Sequence, residues 1–336
     1  MRRILVAALG LLLATSTVVT AYPLQPANPV IGIVTHPMDE CNTPPAGVQA
    51  NSCLESFYVD WLEAAGIRVV PVPYNSSIEY HMYLAQRLNG ILFPGGGSGG
   101  AQLQRYFAKA QAVFNQTLAW NAAGDPFFLW GTCMGFQVLC SCAAGTLDVI
   151  TGTYPGMEPL MMALNFTAAQ PSSKLLGDAT CPSYVRNVLQ TQNSTLNWHQ
   201  DAVLTSEWTK RPALAKNLVV LSTNTAPAGN VVFASAVESP VANIFATQFH
   251  PERPPYEFSD DGIGHTAGDV AVSQYLADFI VSRLRMNNHT FETPQDAEAL
   301  RIARFPRVDY GWGYKSYFVY HDDTMEAATM ANKPRK

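Results

Sequence analysis

Short apolar runs bounded by turn residues alternate along the first half of the chain with longer amphipathic segments. Apolar runs without alternation are typical of strands buried on both faces of a sheet, and amphipathic segments are typical of helices that cover those faces. The predicted strands cover residues 30–34, 67–72, 90–93 and 127–130, and the predicted helices cover 56–65 and 104–122. This pattern indicates an α/β fold with a central, mostly parallel sheet flanked by helices.

The second half of the chain is richer in strand signals. Strands are predicted over residues 218–222, 231–237 and 244–249, and a last helix with one apolar stripe over 269–285. Beyond Phe291 the sequence becomes polar and mixed. We therefore predict a principal domain over residues 28–291 and a C-terminal extension over 292–336, whose aromatic-rich stretch 310–320 is expected to pack on the surface.

The composition of the 336-residue chain is that of a compact globular protein. Hydrophobic residues make up 48% of the sequence and charged residues 14%, which excludes intrinsic disorder and a coiled coil. The formal net charge is −5, and no basic block is present that could follow a phosphate backbone. A nucleic-acid partner is therefore not expected.

The N-terminus has the three parts of a secretory signal peptide. Arg2 and Arg3 precede an apolar run over residues 4–14, and a stretch of Thr, Ser and Val leads to Ala21, which predicts a signal peptide over residues 1–21. A membrane anchor is the alternative, but this run is shorter than the roughly 20 residues that span a bilayer. We therefore expect no stable membrane anchor and a secreted, lysosomal or vacuolar destination.

Two further features fit the secretory route. Five Asn-X-Ser/Thr sequons predict glycosylation at Asn75, Asn115, Asn165, Asn193 and Asn288. The six cysteines show neither paired Cys-X-X-Cys knuckles nor a histidine pair at zinc-site spacing, so no metal centre is expected. Disulfides are expected in an oxidising compartment, and Cys41 with Cys53 is the simplest pair across one loop, although the sequence leaves the connectivity open.

The strongest chemical signal is the segment Gly131-Thr132-Cys133-Met134-Gly135, which lies between a predicted strand and a helical pattern. A strand-to-helix elbow of this kind presents a nucleophile. The helix that follows directs unpaired N–H groups and the positive end of its dipole towards the sulfur, and both favour a thiolate at Cys133. A buried structural cysteine, with the glycines serving only the turn, is the alternative interpretation.

A base for this thiol follows the strand predicted over residues 244–249, where His250 and Glu252 stand two positions apart. Residues two apart in an extended chain point the same way, so Glu252 can accept a hydrogen bond from the imidazole. The carboxyl ends of parallel strands share one edge of a sheet, where ligands bind. We therefore expect Cys133 and His250 to meet at that edge.

A glycine-rich loop, Gly95-Gly96-Gly97, follows the strand predicted over residues 90–93. Its backbone N–H groups, together with the N–H of Met134, are predicted to form an oxyanion hole, which implies acyl transfer. Phosphate binding is the alternative. However, the loop lacks the Gly-Lys-Ser/Thr ending of a P-loop and the spacing of a dinucleotide fingerprint.

The segments that carry these residues resemble the γ-glutamyl hydrolase family. The resemblance covers approximately residues 29–291, and its motifs lie at 30–37, 88–96, 130–136, 164–167, 197–199, 248–252 and 250–257. It implies a class I glutamine-amidotransferase-like sandwich and a cysteine peptidase that cleaves γ-glutamyl bonds of folylpoly-γ-glutamates, a small-molecule substrate, without a metal or organic cofactor.

The resemblance also implies a role for each matching residue. Cys133 matches the nucleophile, His250 the proton donor and acceptor, and Glu252 the supporting carboxylate. His199 matches a histidine near the substrate, and a surface or capping role is the alternative. The family further implies a homodimer, while the extension beyond Phe291 departs from the family pattern.

Two rival functions use the same residues. A glutaminase or amidotransferase subunit would hydrolyse the γ-amide of glutamine with the same triad, but no synthase domain follows and ammonia released in a secretory lumen has no built-in acceptor. A catalytically inactive protein could keep the fold and bind folate or polyglutamate. The intact Cys133, His250 and Glu252 argue against that second possibility.

Overall fold

The computed structural model of the chain describes residues 28–97 and 99–331. The signal peptide predicted over residues 1–21 lies outside the described residues. Within them, none of the helices combines the length and apolarity that crossing a bilayer requires.

The chain alternates strands and helices through most of its length. The strands are β1 Val30–Val34, β2 His36–Pro37, β3 Ser52–Glu55, β4 Arg68–Val72, β5 Gly90–Phe93, β6 Phe128–Thr132, β7 Ile150–Thr151, β8 Leu160–Met162, β9 Asn165–Phe166, β10 Thr195–Asn197, β11 Ala202–Val203, β12 Val219–Thr225, β13 Val232–Glu238, β14 Ile244–Thr247, β15 Arg307–Asp309 and β16 Lys315–Val319. The α-helices are α1 Ser56–Ala64, α2 Ile78–Ala85, α3 Gly100–Ala122, α4 Met134–Ala144, α5 Ser183–Thr191, α6 Ser206–Lys210, α7 Pro212–Asn217, α8 Ala267–Leu284, α9 Pro294–Ala299 and α10 Asp323–Ala331.

An eight-stranded sheet in the order β4-β1-β5-β6-β14-β13-β12-β9 forms the centre of the fold. The five strands from β4 to β14 pair in parallel, and the last three pair antiparallel. The predicted α/β class with a mostly parallel sheet flanked by helices is therefore confirmed. The strand predictions at 30–34 and 90–93 coincide with β1 and β5, whereas α3 begins four residues earlier than predicted, at Gly100.

Both faces of the sheet are covered by apolar cores. Along β6, Leu129 packs into the core that contains residues of α2, α3 and α4, whereas Phe128 and Trp130 pack into the core that contains residues of α1 and α8. Successive strand residues point to opposite faces, so a strand buried on both sides must be apolar throughout. This is the physical reason for the uninterrupted apolar runs in the sequence.

The aromatic stretch near the C-terminus is part of the fold, and the prediction that it packs only on the surface was wrong. Strand β16 is a central strand of a second sheet, ordered β15-β16-β3-β2, in which Phe318 pairs with Cys53. Tyr317, Phe318 and Val319 are buried. The division of the chain at residue 291 stays a prediction.

A disulfide joins Cys41 to Cys53, with 6.0 Å between their Cα atoms. The simplest pairing seen in the sequence is thereby confirmed. It ties the loop before β3 to the second sheet.

Candidate active site

Three adjacent parallel strands bring the predicted site residues to one edge of the central sheet. In the register, Phe93 of β5 lies beside Gly131 of β6, and Thr132 of β6 lies beside Thr247 of β14. The loops after these strands therefore start side by side. They carry Gly95, Cys133 and His250, and the structure brings these three residues together.

The backbone at Cys133 forms a sharp elbow. Its φ of +52° and ψ of −110° lie in a region that non-glycine residues rarely adopt. Glycines on either side allow the close packing around it: a side chain at Gly135 would collide with the Phe93 carbonyl oxygen, and a Cβ at Gly131 would lie 2.5 Å from the Gly135 carbonyl oxygen. The elbow is therefore held by backbone contacts that only glycine permits.

The Cys133 thiol lies at the N-terminus of α4, where the helix dipole favours negative charge. The side chain is only 5% exposed, and Sγ lies 3.7 Å from the carbonyl oxygen of Trp198. The other described free cysteines are Cys140, Cys142 and Cys181. Burial raises the pKa of each of these three thiols, so they stay protonated at neutral pH.

His250 is held between Cys133 and Glu252. Its Nδ1 lies 2.6 Å from Glu252 Oε1, which leaves Nε2 for the thiol, and its backbone N–H donates to the carbonyl oxygen of Leu196. Burial lowers the pKa of His250. The negative charge of Glu252, the charge of Cys133 and a hydrogen bond with Cys133 raise it, and together they outweigh the effect of burial. The pKa of His250 therefore rises to about 9. The imidazole is therefore charged at neutral pH.

Of the four N–H groups predicted to form the oxyanion hole, those of Gly95 and Gly97 are already engaged in hydrogen bonds. The N–H of Gly95 donates to the hydroxyl oxygen of Tyr58 at 2.7 Å. Among the described residues, the N–H groups of Gly96 and Met134 make no hydrogen bond. Gly97, the third glycine of the loop, donates to Glu40 Oε2 at 2.8 Å.

Tyr58 is a site residue that the sequence analysis missed. Burial, followed by the nearby charges of Glu252 and Glu55, raises the pKa of its hydroxyl well above the usual value, so the phenol stays neutral. Because its oxygen already accepts from Gly95, its own O–H is free to donate into the site. In the sequence, Tyr58 can be recognised only as a residue of the amphipathic segment that forms α1. The apolar pattern of that segment predicts an ordinary core residue.

His199 lies in the wall of the site, directly after Trp198. It is buried, its Nδ1 lies 2.8 Å from the carbonyl oxygen of Asp201, and its Nε2 lies 3.2 Å from Asn197 Oδ1. Burial is the main cause that lowers the pKa of His199 to about 4, so the ring is neutral. A surface role is therefore ruled out, and a role in binding substrate stays a prediction.

A cleft of about 300 Å³ opens beside Gly96. Its lining residues are His36, Glu40, Glu55, Gly96, Gly97 and Arg253. The Arg253 guanidinium lies over the rings of Phe57 and Trp198, at 4.6 and 5.0 Å from their centroids. It also pairs with Glu257 at 2.9 Å and Glu55 at 3.5 Å. Arg253 lies within the motif at residues 250–257, but nothing in the sequence indicated that it lines the cleft.

The described residues contain no group of three or more His, Cys, Asp or Glu side chains arranged to hold a metal ion.

Comparison with known proteins shows which family this chain is similar to. The model of the peptidase C26 family matches residues 29–252, a range that includes Cys133, His250 and Glu252. Gamma-glutamyl hydrolase from Homo sapiens is 33% identical over 284 residues, which is 84% of this chain and 86% of that protein. Gamma-glutamyl hydrolase B from Dictyostelium discoideum is 33% identical over 264 residues, 78% of this chain and 74% of that protein. The structure of PurLQS from Thermotoga maritima is 15% identical and covers 73% of this chain and 97% of its own, with a TM-score of 0.41.

Proposed function

The chain belongs to the peptidase C26 family, and on that premise we propose that it hydrolyses γ-glutamyl bonds of folylpoly-γ-glutamates through a thioester at Cys133. The resemblance to γ-glutamyl hydrolases seen in the sequence is confirmed. One observation carries the proposed mechanism: the His250 imidazole lies between the Cys133 thiol and the Glu252 carboxylate in one buried site.

The first half of the proposed reaction forms the thioester. The Cys133 thiolate attacks the γ-carbonyl carbon, and a C–S bond forms while the carbonyl oxygen takes the negative charge. The N–H groups of Gly96 and Met134 and the Tyr58 hydroxyl are the donors available for this oxyanion. The C–N bond then breaks, and the nitrogen leaves as an amine after accepting the proton on His250 Nε2.

The second half releases the γ-glutamyl group. His250, now neutral, takes a proton from a water molecule, whose oxygen attacks the thioester carbonyl. Collapse of this second tetrahedral intermediate breaks the C–S bond, returns the thiolate and forms the free γ-carboxylic acid, which loses its remaining proton to solvent. His250 keeps the proton, so the charged pair with Cys133 is restored and no cofactor is consumed.

We expect Gly95→Ala to lower kcat by about 100-fold, because a misplacement of about 1 Å in a catalytic group costs about that much. The new methyl group would lie 2.6 Å from His250 Cε1 and 3.1 Å from Cys133 Cβ, so one of the two side chains must move. Glutamate release by the purified variant measures the effect.

Gly97→Ala is the matched control, since a Cβ at Gly97 would meet no atom within 4 Å. It adds the same methyl group to the same loop and should keep kcat within about twofold of the wild type. Equal losses in the two variants would mean that loop stiffness, and not the space between Cys133 and His250, limits the reaction.

Product analysis on a pteroylpolyglutamate of defined length tests the proposed function directly. We expect free glutamate or shorter γ-glutamyl oligomers together with a shortened pteroyl product. The glutaminase alternative predicts ammonia from glutamine and an intact pteroyl substrate. The inactive binding protein predicts tight binding with no product, so each of these two outcomes overturns the proposal.

A secretory destination, secreted, lysosomal or vacuolar, is part of the same proposal. Each sequon asparagine, at Asn75, Asn115, Asn165, Asn193 and Asn288, is exposed, and the Cys41–Cys53 disulfide fits an oxidising compartment. Cleavage of the predicted signal peptide, glycosylation, a homodimer and the absence of a nucleic-acid partner stay predictions.

A further inference from the structure

Three large aromatic side chains lie exposed on neighbouring loops: Phe258, Tyr310 and Trp312, here called the aromatic rim. Their side chains are 53%, 38% and 77% exposed, respectively. Large aromatic residues are usually buried, because each removes a large apolar area from water. A group of exposed aromatic side chains on neighbouring loops is therefore typical of a binding surface.

The backbone at the tip of the rim holds the tryptophan outward in a strained conformation. Gly311, Trp312 and Gly313 follow one another with φ of +88°, +54° and +80° in the tight turn between β15 and β16. Glycine adopts these angles freely, whereas a bulky residue rarely does. Gly313 is also packed so closely on Tyr256 that a Cβ would collide with its carbonyl oxygen. Folding alone offers no reason to place an exposed tryptophan in this position.

The rim is attached to the catalytic site through two contacts. The N–H of Phe258 donates to the carbonyl oxygen of Trp312 at 2.7 Å, and Phe258 lies in the connection between β14 and α8 that also carries His250 and Glu252. On the other side of the turn, the Tyr314 hydroxyl donates to Glu55 Oε1 at 2.9 Å, and Glu55 lines the cleft. The rim is therefore continuous with the wall of the cleft.

The cleft and the rim differ in chemistry. The cleft is lined by charged and polar groups, among them Arg253, Glu55 and His36, whereas the rim presents aromatic surface. The proposed substrate is divided in the same way, because its γ-glutamyl tail is charged and its pteroyl end is a flat, conjugated ring system. Flat ring systems stack on exposed aromatic side chains, and charged tails do not.

We propose that the aromatic rim binds the pteroyl rings of the substrate, with Trp312 as the principal stacking residue, while the γ-glutamyl tail enters the cleft. The inference rests on the proposed function and deepens it. It predicts that the rim makes the protein prefer pteroyl-bearing chains over free γ-glutamyl oligomers. Trp312 has no part in the chemical step, so it is a specificity residue.

Kinetics with two substrates of equal tail length, one with and one without the pteroyl group, test this role. We expect Trp312→Ala to raise KM for the pteroyl substrate about tenfold, in line with the measured effect of removing one aromatic stacking partner. The kcat for both substrates and the KM for the free oligomer should not change. Trp312→Phe keeps a ring at this position and should recover most of the loss. Tyr184→Ala, which removes a 58% exposed aromatic side chain from α5, is the control and should change nothing.

Equal increases in KM for the two substrates would overturn the inference, because the tail and not the rings would then depend on Trp312. So would an unchanged KM together with a changed oligomeric state in size-exclusion chromatography, since the rim would then be a contact between copies of the chain. Unfolding curves of the variants establish that each is folded.

Equilibrium dialysis with pteroic acid, which carries no γ-glutamyl bond, separates failure of the inference from failure of the proposed function. We expect binding to the wild type and to Tyr184→Ala, and about tenfold weaker binding to Trp312→Ala. If neither the wild type nor any variant cleaves the pteroylpolyglutamate but this pattern holds, the rim binds pteroyl rings and the proposed hydrolysis is wrong. If hydrolysis occurs and Trp312→Ala binds pteroic acid as the wild type does, the inference is wrong and the function stands.

Discussion

Cys133→Ala is expected to lose at least about 10⁴-fold in kcat, because no other described group near His250 can form the thioester. The variant should still bind the substrate, since alanine removes only the sulfur and leaves the cleft unchanged. Glutamate release and substrate affinity, measured on the same preparation, give both values. Iodoacetate should alkylate Cys133 in the wild type, and bound substrate should suppress that reaction.

Cys140→Ala provides the matched control. Cys140 lies on the same helix, α4, is fully buried, and has a thiol whose pKa is raised by burial. Its replacement should cost about 1 kcal/mol of stability and leave kcat within about twofold of the wild type. Turnover retained by Cys133→Ala would refute the assignment of the nucleophile, whatever the control shows.

His250→Gln should lower kcat by about 10³-fold. The glutamine keeps a polar side chain of similar reach, but it can neither protonate the leaving amine nor take a proton from water. Stopped-flow measurement should show slow thioester formation and slow hydrolysis alike, since His250 acts in both halves of the reaction. His289→Gln is the control, because His289 lies in a separate contact with Asp125 and the carbonyl oxygen of Ala85. It should change stability but not kcat.

Glu252→Gln tests how His250 is tuned. The negative charge of Glu252 is the main effect that raises the pKa of His250 to about 9 against the opposing effect of burial. The protonated form that serves as the acid exists below this pKa, so kcat/KM of the wild type should fall as the pH rises through about 9. In Glu252→Gln the carboxylate charge is lost, so the alkaline limb must move to lower pH. If the alkaline limb of the kcat/KM profile stays at the same pH in a folded, active Glu252→Gln variant, the charge of Glu252 does not set the pKa of His250.

The same pairing contributes to stability with a defined pH dependence. Because the pKa of His250 rises on folding from 6.5 to about 9, its contribution is fully present below pH 6.5 and is lost as the pH rises through about 9. Unfolding measured across this range should therefore show the wild type losing more stability than Glu252→Gln.

The arrangement of the proposed catalytic residues could be predicted because each is marked by its neighbours in the chain. Cys133 stands between two glycines at the end of an apolar run, and His250 stands two residues before a carboxylate at the end of another. Strand ends are local features, and parallel strands gather their carboxyl ends at one edge. The proximity of Cys133 and His250 could therefore be predicted from the fold class alone.

Tyr58 and the rim could not be predicted in this way. Tyr58 lies on a helix whose pattern indicates only that its face is buried, and which buried hydroxyl meets the Gly95 N–H depends on how α1 packs on the sheet. The stretch 310–320, which carries Trp312, contains strand β16, and that strand is held by pairing with β3. Its partner strand, β3, lies more than 250 residues earlier in the chain.

The sequence by itself determined the fold class, the elbow at Cys133 and the pairing of His250 with Glu252, because periodicity, turn chemistry and short spacings are properties of neighbouring residues. Only the tertiary structure decided that Tyr58 holds the glycine loop, that Arg253 lines the cleft and that the turn between β15 and β16 meets the loop after β14 to form the aromatic rim. Those contacts join distant parts of the chain, and their geometry is fixed by packing in the assembled core, which no local pattern encodes.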